Sequence, residues 1–237
     1  MLTACQSQAV AGPLTADLGG YARGTMHDEL AWKDVVLHAC RVLQTHEKVV
    51  FVTTLQLEEG TPQITYAKDD GYRLVVVSDD LARALGNLTD LDGRPLVDLD
   101  NYRKSWNGSF SFTFVEPDAL TSKERQVFSL AASAAQLAQI RPNRIGVTSI
   151  LISDTMRLND EGRTILGVYE REEKRIVIRR DQLVNAARFC STLLHELAHA
   201  RSGETDRTLK FENELTRLLG LLAATSLTDH GSNTLQP

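Results

Sequence analysis

Residues 191–203 read STLLHELAHARSG: two histidines four apart in an apolar frame that stops at a glycine. On a helix, residues i and i+4 differ by about 40° around the axis, so both imidazoles can face one ion. Glu196 follows His195 directly and sits about 100° round, too far to join the pair as a ligand but beside whatever the pair holds. Zinc acidifies a water, and a carboxylate in that place can take its proton during attack on a peptide carbonyl and carry it to the leaving amine. The spacing therefore predicts a zinc site with His195 and His199 as ligands and Glu196 as general base. Leu183, Ala187, Cys190, Leu194 and Leu197 read as the buried stripe of the same helix, over about 182–201, which Gly203 closes. The bland alternative is a surface helix carrying two unrelated histidines.

A catalytic zinc site uses three protein ligands and one open position. No histidine follows His199 until His230, which leaves a carboxylate as third ligand: Glu204, Asp206, Glu212 or Glu214. Glu204 lies in the turn beside Gly203 and reads as solvated. Asp206 is a natural N-cap for a last helix over about 207–224. On that helix Phe211, Leu215, Leu218, Leu219 and Leu222 mark the buried side, and both Glu212 and Glu214 border it. Spacing alone does not choose among them; Glu212 is preferred, with Asp206 second, as ligand or as a partner behind the ligands.

Upstream, VTSILIS (147–153), TILGVYE (164–170) and RIVIRR (175–180) read as strands, the last two joined by a charged hairpin. Thr121 and Glu124 form a capping box that opens a helix running to about Ile140, where Pro142 stops it. Helix, three strands, metal helix, second helix is the order of zincin peptidases. In those folds the strand before the metal helix borders the cleft and pairs with an extended substrate, which makes RIVIRR the expected edge.

Further toward the N-terminus, 33–44 has helical spacing, and VVFVTT (49–54) and YRLVVVSD (72–79) suit strands of a small parallel sheet. Asp79 and Asp80 could cap the next helix, which would end near Gly86. The turn-rich stretch 87–101 suggests an internal boundary, and SFSFTFVE (109–116) alternates like a half-buried strand. The expected architecture is α+β: an arm over 1–29, a small α/β regulatory or recognition domain over 30–115, a zincin-like peptidase over 116–224, and a disordered tail over 225–237.

The chain has 237 residues, 42% hydrophobic and 24% charged, with a net charge of −5. That balance is globular and offers no long-range attraction to nucleic acid or to an anionic membrane. No apolar run approaches the roughly 18 residues needed to span a bilayer. Three cysteines, Cys5, Cys40 and Cys190, form no disulfide framework, so a reducing, cytoplasmic setting is expected. Leu2–Cys5 resembles a lipoprotein box, but no charged or apolar leader precedes it. His27, His38 and His46 lack ligand spacing, and His38 reads as a core histidine. Tyr169 could reach the cleft to stabilise an oxyanion, although a buried strand tyrosine is the commoner outcome.

The run IVIRRDQL…FCSTLLHELAHARSGETDRTLKFENELTRLLG resembles the metallopeptidase-like C-terminal region of bacterial histidine-kinase-like ATP-binding proteins. More distantly it is similar to minimal gluzincins of the ImmA/IrrE type. HEKVVFVT, DDGYRLVVVSDD, SFSFTFVEP and ISDTMR carry the likeness upstream, over about 45–223. The resemblance implies an HExxH zinc peptidase acting on a protein or peptide, and it favours Glu212 over Glu214, with Asp206 also at a matching position. The ATPase domain of those proteins has no counterpart here, which implies a stand-alone form or one half of a split system. The alternative is a zinc-fold sensing or partner-binding module that cleaves nothing and works beside a separate ATPase in stress response or phage defence.

Overall fold

The computed structural model describes the backbone of Ala9 and residues 32–232, and the side chains of Ala9 and residues 35–228. The arm expected over 1–29, with Cys5 and His27, lies outside the described residues apart from Ala9. The chain is mixed α+β and divides into two compact units. One is Met1–Phe110 with Leu158–Thr164; the other is Ser111–Arg157 with Ile165–Pro237.

In the first unit, α1 (Trp32–His46) leads into β1 (Val49–Val52), α2 (Thr54–Glu59), α3 (Pro62–Asp69), β2 (Arg73–Val76), α4 (Asp79–Leu85) and α5 (Leu99–Ser109). β1 and β2 pair in parallel, Val49 opposite Arg73 through Val52 opposite Val76. Every residue of β1 is buried, which is why its apolar run is unbroken rather than alternating. Ser78, not Asp79 or Asp80, caps α4 by accepting from the Leu81 N–H.

The stretch 87–101 is not a boundary. It folds into this unit around the buried Asp90, whose carboxylate accepts from the Asp92 and Arg94 N–H groups and from the Arg94 guanidinium. Asp98 then caps α5, a helix that the turn-rich reading of 87–101 passes over. The unit takes back residues 158–164, where Leu158 exchanges hydrogen bonds with Asn107 and Arg103 pairs with Asp160.

In the second unit, the expected single helix over 121–140 is two: α6 (Ser122–Phe128) and α7 (Ala131–Leu137). The capping box at Thr121 and Glu124 is formed, and Glu124 also holds Arg180 at 2.8 Å. The chain leaves α7 at Gln139, in the left-handed region at φ 53°. β3 (Ser149–Ser153), β4 (Gly167–Glu170) and β5 (Arg175–Arg179) follow, then α8 (Ala186–Ser202) and α9 (Leu209–Ser232). Residues 225–232 are therefore helical, where a disordered tail was expected.

The sheet order is β3-β5-β4, with β3 parallel and β4 antiparallel to β5. RIVIRR is thus the central strand, paired on both sides, and the edges are β3 and β4. SFSFTFVE makes a single antiparallel bridge, Phe114 opposite Ser153, carried by the backbone hydrogen bonds of Thr113 and Val115. Phe112 and Phe114 stack at 5.5 Å with the Arg175 guanidinium over both rings, a side-chain arrangement that needs no ladder.

The core of this unit joins Ile176 and Ile178 of β5 to Phe189, Leu193 and Leu197 of α8 and to Phe211 and Leu218 of α9. Each large apolar side chain so buried contributes about 1.5–3 kcal/mol. The stripe of α8 is rotated from the expected one. Ala187 is exposed and Cys190 and Leu194 are half-buried, while Thr192 and Glu196 are buried.

Candidate metal centre

Asn185 starts α8 by accepting from the Arg188 N–H at 2.9 Å, and Gly203 ends it. At φ 71° Gly203 adopts the left-handed cap that glycine takes without penalty, and its N–H closes on the His199 carbonyl at 2.9 Å. The chain doubles back there, so that the Glu204 carbonyl accepts from His199 Nδ1 at 2.8 Å. A carbonyl can only accept, so the His199 proton lies on Nδ1 and Nε2 presents its lone pair.

His199 Nε2 lies 3.1 Å from His195 Nε2. Asp206 Oδ1 completes the group at 3.2 Å from His195 Nε2 and 3.3 Å from His199 Nε2. Three ligating atoms within 4.8 Å of one another form a set that could hold a metal ion. Tetrahedral zinc at about 2.0–2.1 Å from its ligands requires ligand-to-ligand edges of about 3.3–3.4 Å. The observed triangle, with edges of 3.1, 3.2 and 3.3 Å, matches one face of that tetrahedron to within about 0.3 Å, and two imidazoles with one carboxylate is a donor set that zinc accepts.

The preference for Glu212 is not what the structure brings together. Phe211 occupies the side of α9 that faces the histidines: its ring stacks on His199 at 4.1 Å and meets the edge of His195 at 5.0 Å. Glu212 is one helical step of about 100° further on and is exposed. Glu214 is held by Arg217 at 2.6 Å and Arg201 at 3.4 Å, and the Glu204 side chain pairs with Lys210 at 2.9 Å.

Asp206 is free for the site because it is not the N-cap. Thr208 takes that role, accepting from the Phe211 N–H at 3.4 Å. Arg207, at φ 64°, turns the chain between them. The residue type did signal Asp206, but its cap reading competed, and only the position of Thr208 separates the two roles.

Glu196 lies on the flank of α8 that faces β4 and is 5% exposed. Burial pushes its carboxyl up to about 8; the Tyr169 backbone N–H opposes the shift and the Asp206 charge adds to it. A divalent cation held by its neighbours would draw that value back down. Burial, followed by the charge of His199, holds His195 below its usual value, with Asp206 acting the other way.

The Tyr169 hydroxyl donates to the Gly146 carbonyl at 3.5 Å, so its ring is anchored there rather than at the histidines. Gly167 belongs to no motif of the sequence, yet β4 meets α8 at this residue. A Cβ there would sit 2.6 Å from Thr192 Cγ2 and 3.0 Å from Glu196 Cγ and Oε1. A glycine inside an otherwise apolar strand was the available signal.

No family model, no curated protein and no solved structure matches this chain.

Proposed function

We propose that this chain is a zinc-dependent peptidase, with His195, His199 and Asp206 holding the metal. The observation that carries the reading is the triangle of two Nε2 atoms and one carboxylate oxygen at 3.1–3.3 Å, one residue from a buried glutamate. Zinc, when bound, supplies Lewis acidity toward a carbonyl and toward water. His199 is kept in the ligating tautomer by the Glu204 carbonyl, and Phe211 keeps its ring plane. Glu196 is the group that takes a proton from the attacking water and returns it to the departing amine, with the Tyr169 N–H fixing its carboxylate.

One observation favours a second reading, a metal-holding module that cleaves nothing: Glu196 is almost entirely covered by Thr192, Gly167 and the core. A separate ATPase as working partner belongs to that reading. Among the described residues no helix is long and apolar enough to cross a membrane, and nothing in either reading calls for one.

Elemental analysis of protein purified without added metal separates the readings in two steps. Near one zinc per chain is expected in wild type, Glu196→Gln and Glu212→Gln, with loss in His195→Ala and Asp206→Ala. Retention in Asp206→Ala with loss in Glu212→Gln would return the third ligand to Glu212. No uptake by any variant, even on titration, removes the metal reading. Cleavage of a random-peptide pool by wild type but not by Glu196→Gln then supports the peptidase; equal inactivity of both supports the module.

A further inference from the structure

A groove in the second unit lies away from the histidines. It has a volume of about 1090 Å³, and both α7 and the start of β3 line it. Its apolar lining includes Phe128, Ala135, Ile140 and Ile150, and two exposed arginines, Arg141 and Arg144, also line it. Among the described residues no carboxylate lines it, although the chain as a whole carries a net charge of −5. Among the described residues neither arginine has a hydrogen bond or an ion pair from its side chain. Arg180, by contrast, is tied down by Glu124, and Arg217 by Glu214.

The groove runs to an unfinished sheet edge. β3 is an edge strand, and among the described residues only its far end is covered: Val115 N–H donates to Ile152 C=O and Asp154 N–H to Thr113 C=O, both at 2.9 Å. Backbone groups alternate sides along a strand, so Ile150, two residues before Ile152, turns its N–H and C=O to the same outer side. Nothing among the described residues meets them there, and Ser149 and Ile150 line the groove. An uncovered edge beside an apolar trough takes an extended chain by strand addition, with main-chain hydrogen bonds for affinity and the trough for alternate side chains.

We infer that this groove binds an extended segment of a partner polypeptide, which adds to the edge of β3 at Ile150, seats apolar side chains against α7 and places acidic side chains on Arg141 and Arg144. The unpartnered positive charge selects the acidic partner, and the free main-chain pair at Ile150 selects a polypeptide over a small anion. The site is independent of the metal centre and does not rest on the peptidase reading.

A displayed library of random dodecapeptides, selected on the whole chain, provides the probe. Enriched sequences are expected to alternate apolar residues with others and to carry Asp or Glu. The synthetic form of the enriched peptide is expected to lose at least about tenfold in affinity to Arg141→Glu/Arg144→Glu, and a similar factor to Ile150→Pro, which removes an N–H that no internal bond uses. His195→Ala should bind it as wild type does, so the result stands whatever becomes of the metal centre. Thermal melts check that each variant folds; if Ile150→Pro does not, the charge reversal alone decides. Failure to enrich any peptide, enrichment of sequences without acidic residues, or affinity unchanged in the charge-reversed variant would each overturn the inference.

Discussion

A methyl group at Gly167 would lie 3.0 Å from the Cγ and Oε1 of Glu196, tighter than ordinary side-chain packing. The strand edge and the buried carboxylate are therefore in contact because residue 167 has no side chain. Gly167→Ala has to push β4 away from α8, and overpacking of this kind costs about 1–3 kcal/mol. Chemical denaturation should show that loss. Thr192→Ala, which removes the nearest methyl, should recover part of it in the double variant, and strict additivity would argue against a direct clash.

Thr208 and Asp206 should separate cleanly in metal-free protein. Thr208→Ala removes the cap of α9 and should cost about 1 kcal/mol. Asp206→Ala breaks no cap and should leave stability nearly unchanged. Equilibrium melts in a chelator would check both, and a loss of a full kcal/mol in Asp206→Ala would restore the capping role to that residue.

Phe211 holds the plane of His199 by stacking at 4.1 Å with the rings 13° from parallel. Groups that orient ligands from behind typically carry 10–100-fold of metal affinity. Phe211→Leu keeps most of the buried volume but not the flat face. It should weaken zinc binding by about tenfold in a competition titration while losing little stability. Wild-type affinity in that variant would mean that the ring only fills space.

The acid response of the second unit should depend on Glu124. The Arg180 guanidinium, and then the Thr121 N–H, hold its carboxyl down at about 2, against 4.5 for the unperturbed group. A carboxyl lowered in the folded state stabilises above its unfolded pKa and loses that contribution as pH falls toward the folded one. The melting temperature of wild type should therefore drop relative to Glu124→Gln between about pH 5 and pH 2. A constant difference across that window would show that the ion pair does not titrate with folding.

Relations between residues a few positions apart could be read directly from the sequence. The two histidines share a face, Glu196 steps off it, Gly203 stops the helix, Thr121 and Glu124 cap α6, and β4 returns as β5 through a charged turn. Each follows from the 1.5 Å rise and 100° step of a helix or from the local hydrogen bonding of one turn. The same local reading failed at 87–101 and 109–116. At 87–101 a buried carboxylate organises the turns, and at 109–116 aromatic rings stack on arginines instead of completing a ladder.

The sequence by itself determined the two imidazoles and the glutamate beside them, because a helix transmits its geometry along one short stretch of chain. Only the tertiary structure decided which carboxylate joins them, that RIVIRR lies inside the sheet, and that a side chain at residue 167 would crowd Thr192 and Glu196. Those outcomes depend on where a left-handed turn at Gly203 and Arg207 delivers Asp206, on which strands find each other across the sheet, and on how closely β4 settles on α8. Contacts of that kind join residues tens of positions apart or sit in irregular turns, where no periodic pattern in the sequence encodes them.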